Sequence, residues 1–438
     1  MNTTPRPTVE IPRFVRKRLG PWMARKIEYG RPVRVGLPGR QILLTAPDDV
    51  FHVLMENGRN YTKSRQITSK RSRSRVGDGL LRRQGATHHE RRRIMQPLFT
   101  SRAAEEYALQ IEQQCHWLLD QWSEGQTHDL ASEMGRLTRR ILLTSIFGEI
   151  TDAEIGILEK AISARRLHTE KVYFSRIPHY ERIPTRSRRG DREAQQVFSS
   201  FVQQGLRDIR DGRLSGGLLQ GMSQLQLPDG GYLSDSEIGD EVLSLMSTGH
   251  ETITEWLTWC WVLIGTHPEF ERKWRSELEQ LGTLAELISL PAEKAPITHG
   301  LLEESLRLYP PTWLFARVPL NDDRLPCGVR VKAGQNLLLC PYLMHRHPEA
   351  FPDPECFKPL RFQGIRPKEI MGRTYFPFGA GAHRCIGDKL ARIETLVVLV
   401  TIARACLFES IRTQPARPNP GLTLSVRNGW PVRILSQA

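Results

Sequence analysis

Cysteine is scarce in this chain and never in a metal-binding spacing. The seven residues Cys115, Cys260, Cys327, Cys340, Cys356, Cys385 and Cys406 are odd in number and form no C-x-x-C pair. That excludes a disulfide framework or a zinc ribbon and fits a reducing compartment, so a cytoplasmic location is expected. Long apolar runs are missing too: those around 256–264 and 396–403 fall well short of the ~20 residues that span a bilayer. The opening MNTTPRPTVEIPRFVRKRLG has no apolar region ahead of a small-residue cleavage site, so neither a signal peptide nor a transmembrane anchor is expected. Acidic residues are in deficit, 48 against 62 basic ones, which leaves a net charge of +14 and a pI near 9.7. What is present over the 438 residues, 39% hydrophobic and 25% charged, is an ordinary globular composition able to bury a large core.

The surplus charge is concentrated. Between Arg59 and Arg93 lie twelve basic residues against two acids, Asp78 and Glu90. Such a run fits a solvated basic loop or a contact with nucleic acid or an anionic membrane. No helix-turn-helix, zinc-finger or RNA-recognition signature accompanies it.

The chain is mostly helical in pattern. Residues 33–45 (VRVGLPGRQILLT) place two β-prone runs around a Gly-Leu-Pro-Gly turn, predicting a hairpin, and 48–55 predicts a short helix. A helix follows over 88–98 until Pro97 disturbs it, and 105–124 and 130–147 repeat apolar residues every three or four positions, as amphipathic helices do. Segments 176–192 and 216–237 interrupt this pattern without the bias of a domain linker. Ser234 and Glu237 form a capping box that opens a helix predicted to run unbroken to about Gly265. Beyond Pro310-Pro311 short strands appear, including 329–339 and a predicted hairpin over 422–434 around Asn428-Gly429. The expected fold is mainly α with small β-sheets, in one domain.

The chemistry sits in residues 376–387, FPFGAGAHRCIG. Gly379, Gly381 and Gly387 bracket Cys385, letting the backbone turn tightly and approach something flat, and a helix predicted from 386 starts directly after it. A lone cysteine is ordinarily a small buried hydrophobe; this setting, with free N–H groups and a helix start, favours a ligating thiolate. Phe378-x-x-Gly381-x-His383-x-Cys385-x-Gly387 resembles the haem-binding signature of the cytochrome P450 family. Further segments in the family's order carry the resemblance over about 31–438, with about 1–30 left as a basic N-terminal extension of a single haem-thiolate domain.

Glu304-x-x-Arg307 resembles the family's E-x-x-R pair, two side chains on one helix face. With Arg361 of FPDPECFKPLRF the resemblance implies a buried, structural Glu–Arg–Arg cluster. Thr248-Gly249-His250-Glu251-Thr252 resembles the oxygen-binding [AG]-G-x-[DE]-T segment, with Thr248 where Ala or Gly is usual. The resemblance implies that Gly249 leaves room for dioxygen and that Glu251 and Thr252 hold water and pass protons. A packing glycine and a threonine bonding back to its own helix is the alternative. His88 and Arg92, in GATHHERRRIMQPLF, resemble the family's G-x-x-H-x-x-x-R helix; with Arg317 and His383 the resemblance makes them partners of the haem propionates, while Phe378, Gly379 and Gly387 frame the cofactor.

The resemblance thus implies haem b (iron protoporphyrin IX) on Cys385 and a monooxygenase, a monomer of secondary metabolism. It would insert one oxygen atom of O2 into an apolar small molecule, a natural product or a lipid. Electrons would come from NAD(P)H through a separate ferredoxin or flavodoxin and its reductase. Substrate contacts are expected from loop 64–80 and from Val172, Tyr173, Phe174, Leu245, Thr248, Leu314 and Phe315. The alternatives are a haem-thiolate catalyst of oxidative coupling, isomerisation or peroxygenation, and a non-catalytic basic binding protein. The basic run then divides: Arg91–Arg93 would flank the haem, with Arg92 on a propionate and its neighbours docking an acidic ferredoxin. Lys63–Arg75 would form a solvated lid, or recognise an anionic substrate or an acidic carrier; nucleic acid is the least expected partner.

Overall fold

The fold, a computed structural model, describes residues 8–437 apart from 11, 20–25, 36–40, 70–71, 176, 178–179 and 364–369. Among the described residues, ten helices reach ten residues or more: α1 (Gly85–Met95), α2 (Ala108–Leu119), α3 (Leu130–Phe147), α4 (Asp152–Phe174), α5 (Arg186–Arg210), α6 (Asp235–Thr248), α7 (Glu251–Thr266), α8 (Pro268–Gln280), α9 (Pro296–Leu308) and α10 (Asp388–Ala405). Their ends follow local chemistry. Capping boxes Thr151/Glu154 and Ser234/Glu237 open α4 and α6, Pro268 and Pro296 start α8 and α9, and Gly148 at φ 73° stops α3. None is long and apolar enough to cross a membrane.

Two hydrophobic cores meet along α3. One gathers α2, α7, α8, α9 and α10 around Trp256, Trp259 and Trp261. The other gathers α4, α5 and α6 with Met95 and Phe99. The predicted single helix of 235–265 is accordingly two: α6 serves the second core, α7 the first, and the helix breaks at Gly249-His250. Glycine is the weakest helix former short of proline, and the break falls where the two cores pull the chain apart.

The larger sheet has strands β1 (Val33–Val35), β2 (Gln41–Leu43), β3 (Tyr61–Lys63), β4 (Phe315–Pro319) and β5 (Asn336–Leu339) in the order β1-β2-β5-β4-β3. β1 and β2 pair antiparallel as predicted, their Gly-Leu-Pro-Gly turn lying outside the described residues. The predicted C-terminal hairpin does not form. Asn428 and Gly429 do turn, at φ 61° and 68°. The flanking strands nevertheless join different sheets, Leu424–Val426 pairing with Pro418–Pro420 and Pro431–Gln437 with both Cys406–Ser410 and Thr127–Asp129. In the N-terminal region Thr8–Glu10 pairs with Lys26–Glu28, and Val15 is fully buried with Trp313 and Leu338.

Candidate active site

The segment 376–387 runs from the sheet side into the start of α10. Gly379 and Gly381 take left-handed φ values of 70° and 67°, and a Cβ on Gly381 would lie 2.0 Å from the Leu54 carbonyl, so only glycine fits there. Gly379 N–H donates to Phe376 O (2.9 Å) and Cys385 N–H to Phe378 O (2.8 Å). The Phe378 ring meets Trp256 of α7 edge-on at 5.8 Å. Cys385 is open on one side. Burial of the rest pushes its thiol above the usual value, against the Gly387 N–H and the Arg92 and Arg384 cations.

Beside this loop converge His88 and Arg92 of α1, Lys63 of β3, Arg317 of β4 and His383. The strand register sets Lys63 opposite Arg317. His383 Nδ1 and His88 Nε2 are 3.3 Å apart, Arg92 donates to Arg384 O, and His88 Nδ1 is buried with no partner. Burial first, then the charge of these same neighbours, lowers Lys63 to about 7, His88 to about 3 and His383 to about 2; burial alone lowers Arg317 to about 10. Five basic side chains that chiefly face one another offer a set of donors to buried anions. The donor set fits the two carboxylates of haem b, and the one-sided thiol fits its iron.

Sequence reasoning missed Lys63, whose ammonium donates to the carbonyls of Leu80 (2.9 Å), Leu81 (2.8 Å) and Arg83 (3.4 Å). A β-prone YTK before a basic run carries no mark of the cross-strand neighbour. The end of the 64–80 loop is tied to the helical body, while Arg65 and Arg73 are exposed. Leu80 N–H donates to Glu241, Arg75 O accepts from Arg165 (2.6 Å), and Ser244 Oγ donates to Val76 O (2.7 Å), so this stretch is fastened to α4 and α6. Lys70 and Arg71 lie outside the described residues. Arg91, expected to face a ferredoxin, is buried on Glu237 and Glu241 of α6; Arg93 is the exposed member of that trio.

The Glu–Arg–Arg cluster is present. Glu304 and Arg307 are fully buried and joined twice, at 2.7 and 2.8 Å, and Arg361 Nε donates to Glu304 at 3.0 Å. The remaining guanidinium donors reach the carbonyls of Pro354 (2.6 Å), Pro352 (2.7 Å) and Cys356 (3.2 Å from Arg307, 3.0 Å from Arg361).

At the α6–α7 break, Thr252 Oγ1 donates to Thr248 O (3.2 Å) and Thr248 Oγ1 to Ser244 O (2.9 Å). Glu251 pairs with Arg166 of α4 at 2.6 Å; burial raises its carboxyl and Arg166 opposes the rise. Glu255, one turn on and buried, was also missed; burial pushes it to about 8, with Arg166 opposing and Glu251 adding. A Cβ on Gly249 would lie 2.8 Å from Leu245 O and 3.0 Å from Leu142 Cδ1, so its smallness also serves the packing of the break on α3, and Thr248 beside it is exposed. His250 is buried, held down to about 3 by burial and then by Arg139 and Arg166.

The expected pocket residues are only partly gathered. Phe315 meets Phe376 of the thiolate loop at 6.1 Å, with Arg317 over its ring at 4.8 Å. Leu314 turns instead to the cluster of Val15 and Trp313, strand neighbours facing opposite ways. Leu245 packs against the second core, and Val172, Tyr173 and Phe174 form the end of α4, Tyr173 edge-on to Phe174 at 5.3 Å. A cavity of about 700 Å³ between Tyr29, Asp49, Cys327 and His347 shares no residue with this site.

Comparison with known proteins agrees. The chain is 31% identical over 404 residues to cyclooctat-9-en-7-ol 5-monooxygenase of Streptomyces melanosporofaciens, covering 90% of this chain and 83% of the relative. It is 28% identical to pentalenene oxygenase of Streptomyces avermitilis (85% and 83% covered) and 27% to the human ultra-long-chain fatty acid omega-hydroxylase (82% and 72%). The crystal structure of the cytochrome P450DA heme domain superposes with a TM-score of 0.78 at 23% identity, covering 91% and 88% of the two chains. The Cytochrome P450 family pattern matches residues 22–429. With a matching loop, fold and sequence pattern, the chain belongs to the cytochrome P450 family, as a haem b monooxygenase.

Proposed function

We propose that this monooxygenase hydroxylates an apolar small molecule, a cyclic terpenoid before a fatty acid. Two Streptomyces relatives named for terpenoid-type substrates support the first reading, and the human omega-hydroxylase supports the second. Electrons would come from NAD(P)H through a separate ferredoxin or flavodoxin and its reductase, in the cytoplasm, to a monomeric, single-domain enzyme.

The observation that carries the reading is the acid-poor basic cluster beside a cysteine open on one side. Cys385 would bind the iron, and His88, Arg92, Arg317, His383 and Lys63 the cofactor's carboxylates. When bound, haem with an anionic sulfur ligand supplies O2 activation and C–H oxidation. The chain's own work is to hold protons and exclude water. Thr252 keeps its hydroxyl on the Thr248 carbonyl, and Glu251 keeps its carboxylate on Arg166, so a hydroxyl proton and a carboxylate able to take one would stand at adjacent positions of the break. Of Arg91–Arg93, Arg93 is left for an acidic redox partner, since Arg91 and Arg92 are committed inside.

The ferrous CO complex tests the reading: a strongly red-shifted Soret band is expected, and its absence in the wild type would overturn haem-thiolate ligation. Spin-shift titration with terpenoids, fatty acids and polyketides then selects the substrate class; a shift with polyketides alone would overturn both named classes.

A further inference from the structure

The helix that carries Glu304 and Arg307 has a second attachment to the thiolate loop, through a residue no sequence motif marked. His345 is completely buried after the short helix Pro341–Met344. Its Nε2 accepts from Phe376 N–H at 3.0 Å, and its Nδ1 lies 3.3 Å from Leu306 O of α9. Both contacts are met at once only by a neutral ring with its proton on Nδ1, since Nε2 must accept. Burial holds the ring neutral, lowering it to about 3, with Arg307 and Arg346 adding.

From there the hydrogen bonds continue through backbone alone. Phe376 O accepts from Gly379 N–H (2.9 Å), and Phe378 O from Cys385 N–H (2.8 Å). His345 is therefore the side chain that ties Cys385, through two turns, to α9. The same helix holds the loop at another point. Glu303 takes the Tyr375 hydroxyl at 2.6 Å and the Arg392 guanidinium, which lies over the Phe378 ring at 5.0 Å.

We propose that His345 is a positioning residue for the Cys385 thiolate, fixing the peptide at Phe376 from which the loop is hung; this rests on the haem-thiolate reading above. A buried N–H left without its acceptor costs more than the bond is worth, so the loop moves when the acceptor is lost. Packing alone would not notice which atom accepts.

Three variants separate these. His345→Phe keeps the ring and loses the acceptor. His345→Gln puts an oxygen near Nε2 and an N–H near Nδ1. His345→Asn can donate to Leu306 O but is too short to reach Phe376 N–H. In haem-loaded protein, Phe and Asn are expected to convert a large part of the ferrous CO complex from the red-shifted thiolate band to that of a neutral axial ligand. Their haem loss to an acceptor apoprotein should quicken about tenfold, the size of one buried hydrogen bond. Gln restores both readings to near wild type. Full thiolate band and wild-type haem retention in Phe, or Gln no better than Asn, would overturn the proposal; should Phe fail to fold, the Gln and Asn pair still decides. Cys385→Ala is the control: a red-shifted band there would sink the haem-thiolate reading itself rather than the role of His345.

Discussion

The two sides of the haem site are built on opposite principles. Around α9, the helix tied to the thiolate loop, buried acids are matched with arginines. Glu304 is shared by Arg307 and Arg361, their spare donors end on carbonyls, and Glu303 takes Arg392 and Tyr375. On the side of the α6–α7 break partners are shared and scarce. Arg166 faces Glu251, Glu170 and Glu255, with Arg139 as a further cation near Glu251, and His250 Nδ1 is buried without a bond. Saturated networks hold one geometry, whereas unsaturated ones let protons and side chains move at small cost. On the function proposed above, the chain would fix the ligand to the iron and leave loose the groups that handle protons.

That contrast can be broken, and the largest effect should come from its anchor. Cys385→Ala removes the thiolate Soret band and all turnover, measured on the ferrous CO complex. Next, Glu304→Gln strips the charge on which two buried arginines depend. Removing one member of such a cluster costs ~3–5 kcal/mol, read as a lower urea midpoint together with poor haem loading. A surface-like loss under 1 kcal/mol would show that the thiolate side is not held by its ion pairs.

Across the site, Thr252→Ala should leave haem and substrate binding intact and send reducing equivalents to peroxide. Product per NAD(P)H falls about tenfold or more; unchanged coupling would place proton delivery elsewhere. Gly249→Ala should cost ~1 kcal/mol or more by pressing on Leu142 and the Leu245 carbonyl, and Leu142→Ala in the same protein should recover part of it. Additive losses would mean the two do not touch.

The smallest effect on chemistry comes from the exception on the ordered side. Glu394 is buried between α10 and the Cys115 face of α2, with one oxygen unpartnered, and burial raises it from 4.5 to about 8. In that window the native state holds a proton that the unfolded chain has released, so stability falls as pH rises from 4.5 toward 8. Glu394→Gln should flatten that slope in a thermal-midpoint series over the same range; an unchanged slope would show that Glu394 finds a partner in solution.

Motif residues close in sequence were legible because their geometry is local. Glu304 and Arg307 share a helix face by spacing alone, Ser234 and Glu237 form the predicted capping box, and the glycines around Cys385 bend the loop as expected. Arg91 and Lys63 were misplaced for the opposite reason. Which of three adjacent arginines turns inward depends on acids 146 residues away on α6, and Lys63 is brought to the cluster by its strand partner Arg317. Asn428-Gly429 turned as its local chemistry requires, yet the pairing of the strands beside it was decided by distant edges.

By itself the sequence determined the helical body, the glycine-bent loop around Cys385 and the adjacency of Glu251 and Thr252, since helix periodicity, glycine torsion and motif spacing are local properties. Only the tertiary structure decided that the long helix breaks at Gly249-His250, that Lys63 joins the basic groups beside Cys385, and that His345 ties the loop to α9. Those follow from which apolar faces find a common core, and no stretch of chain carries that information before it is packed against the others.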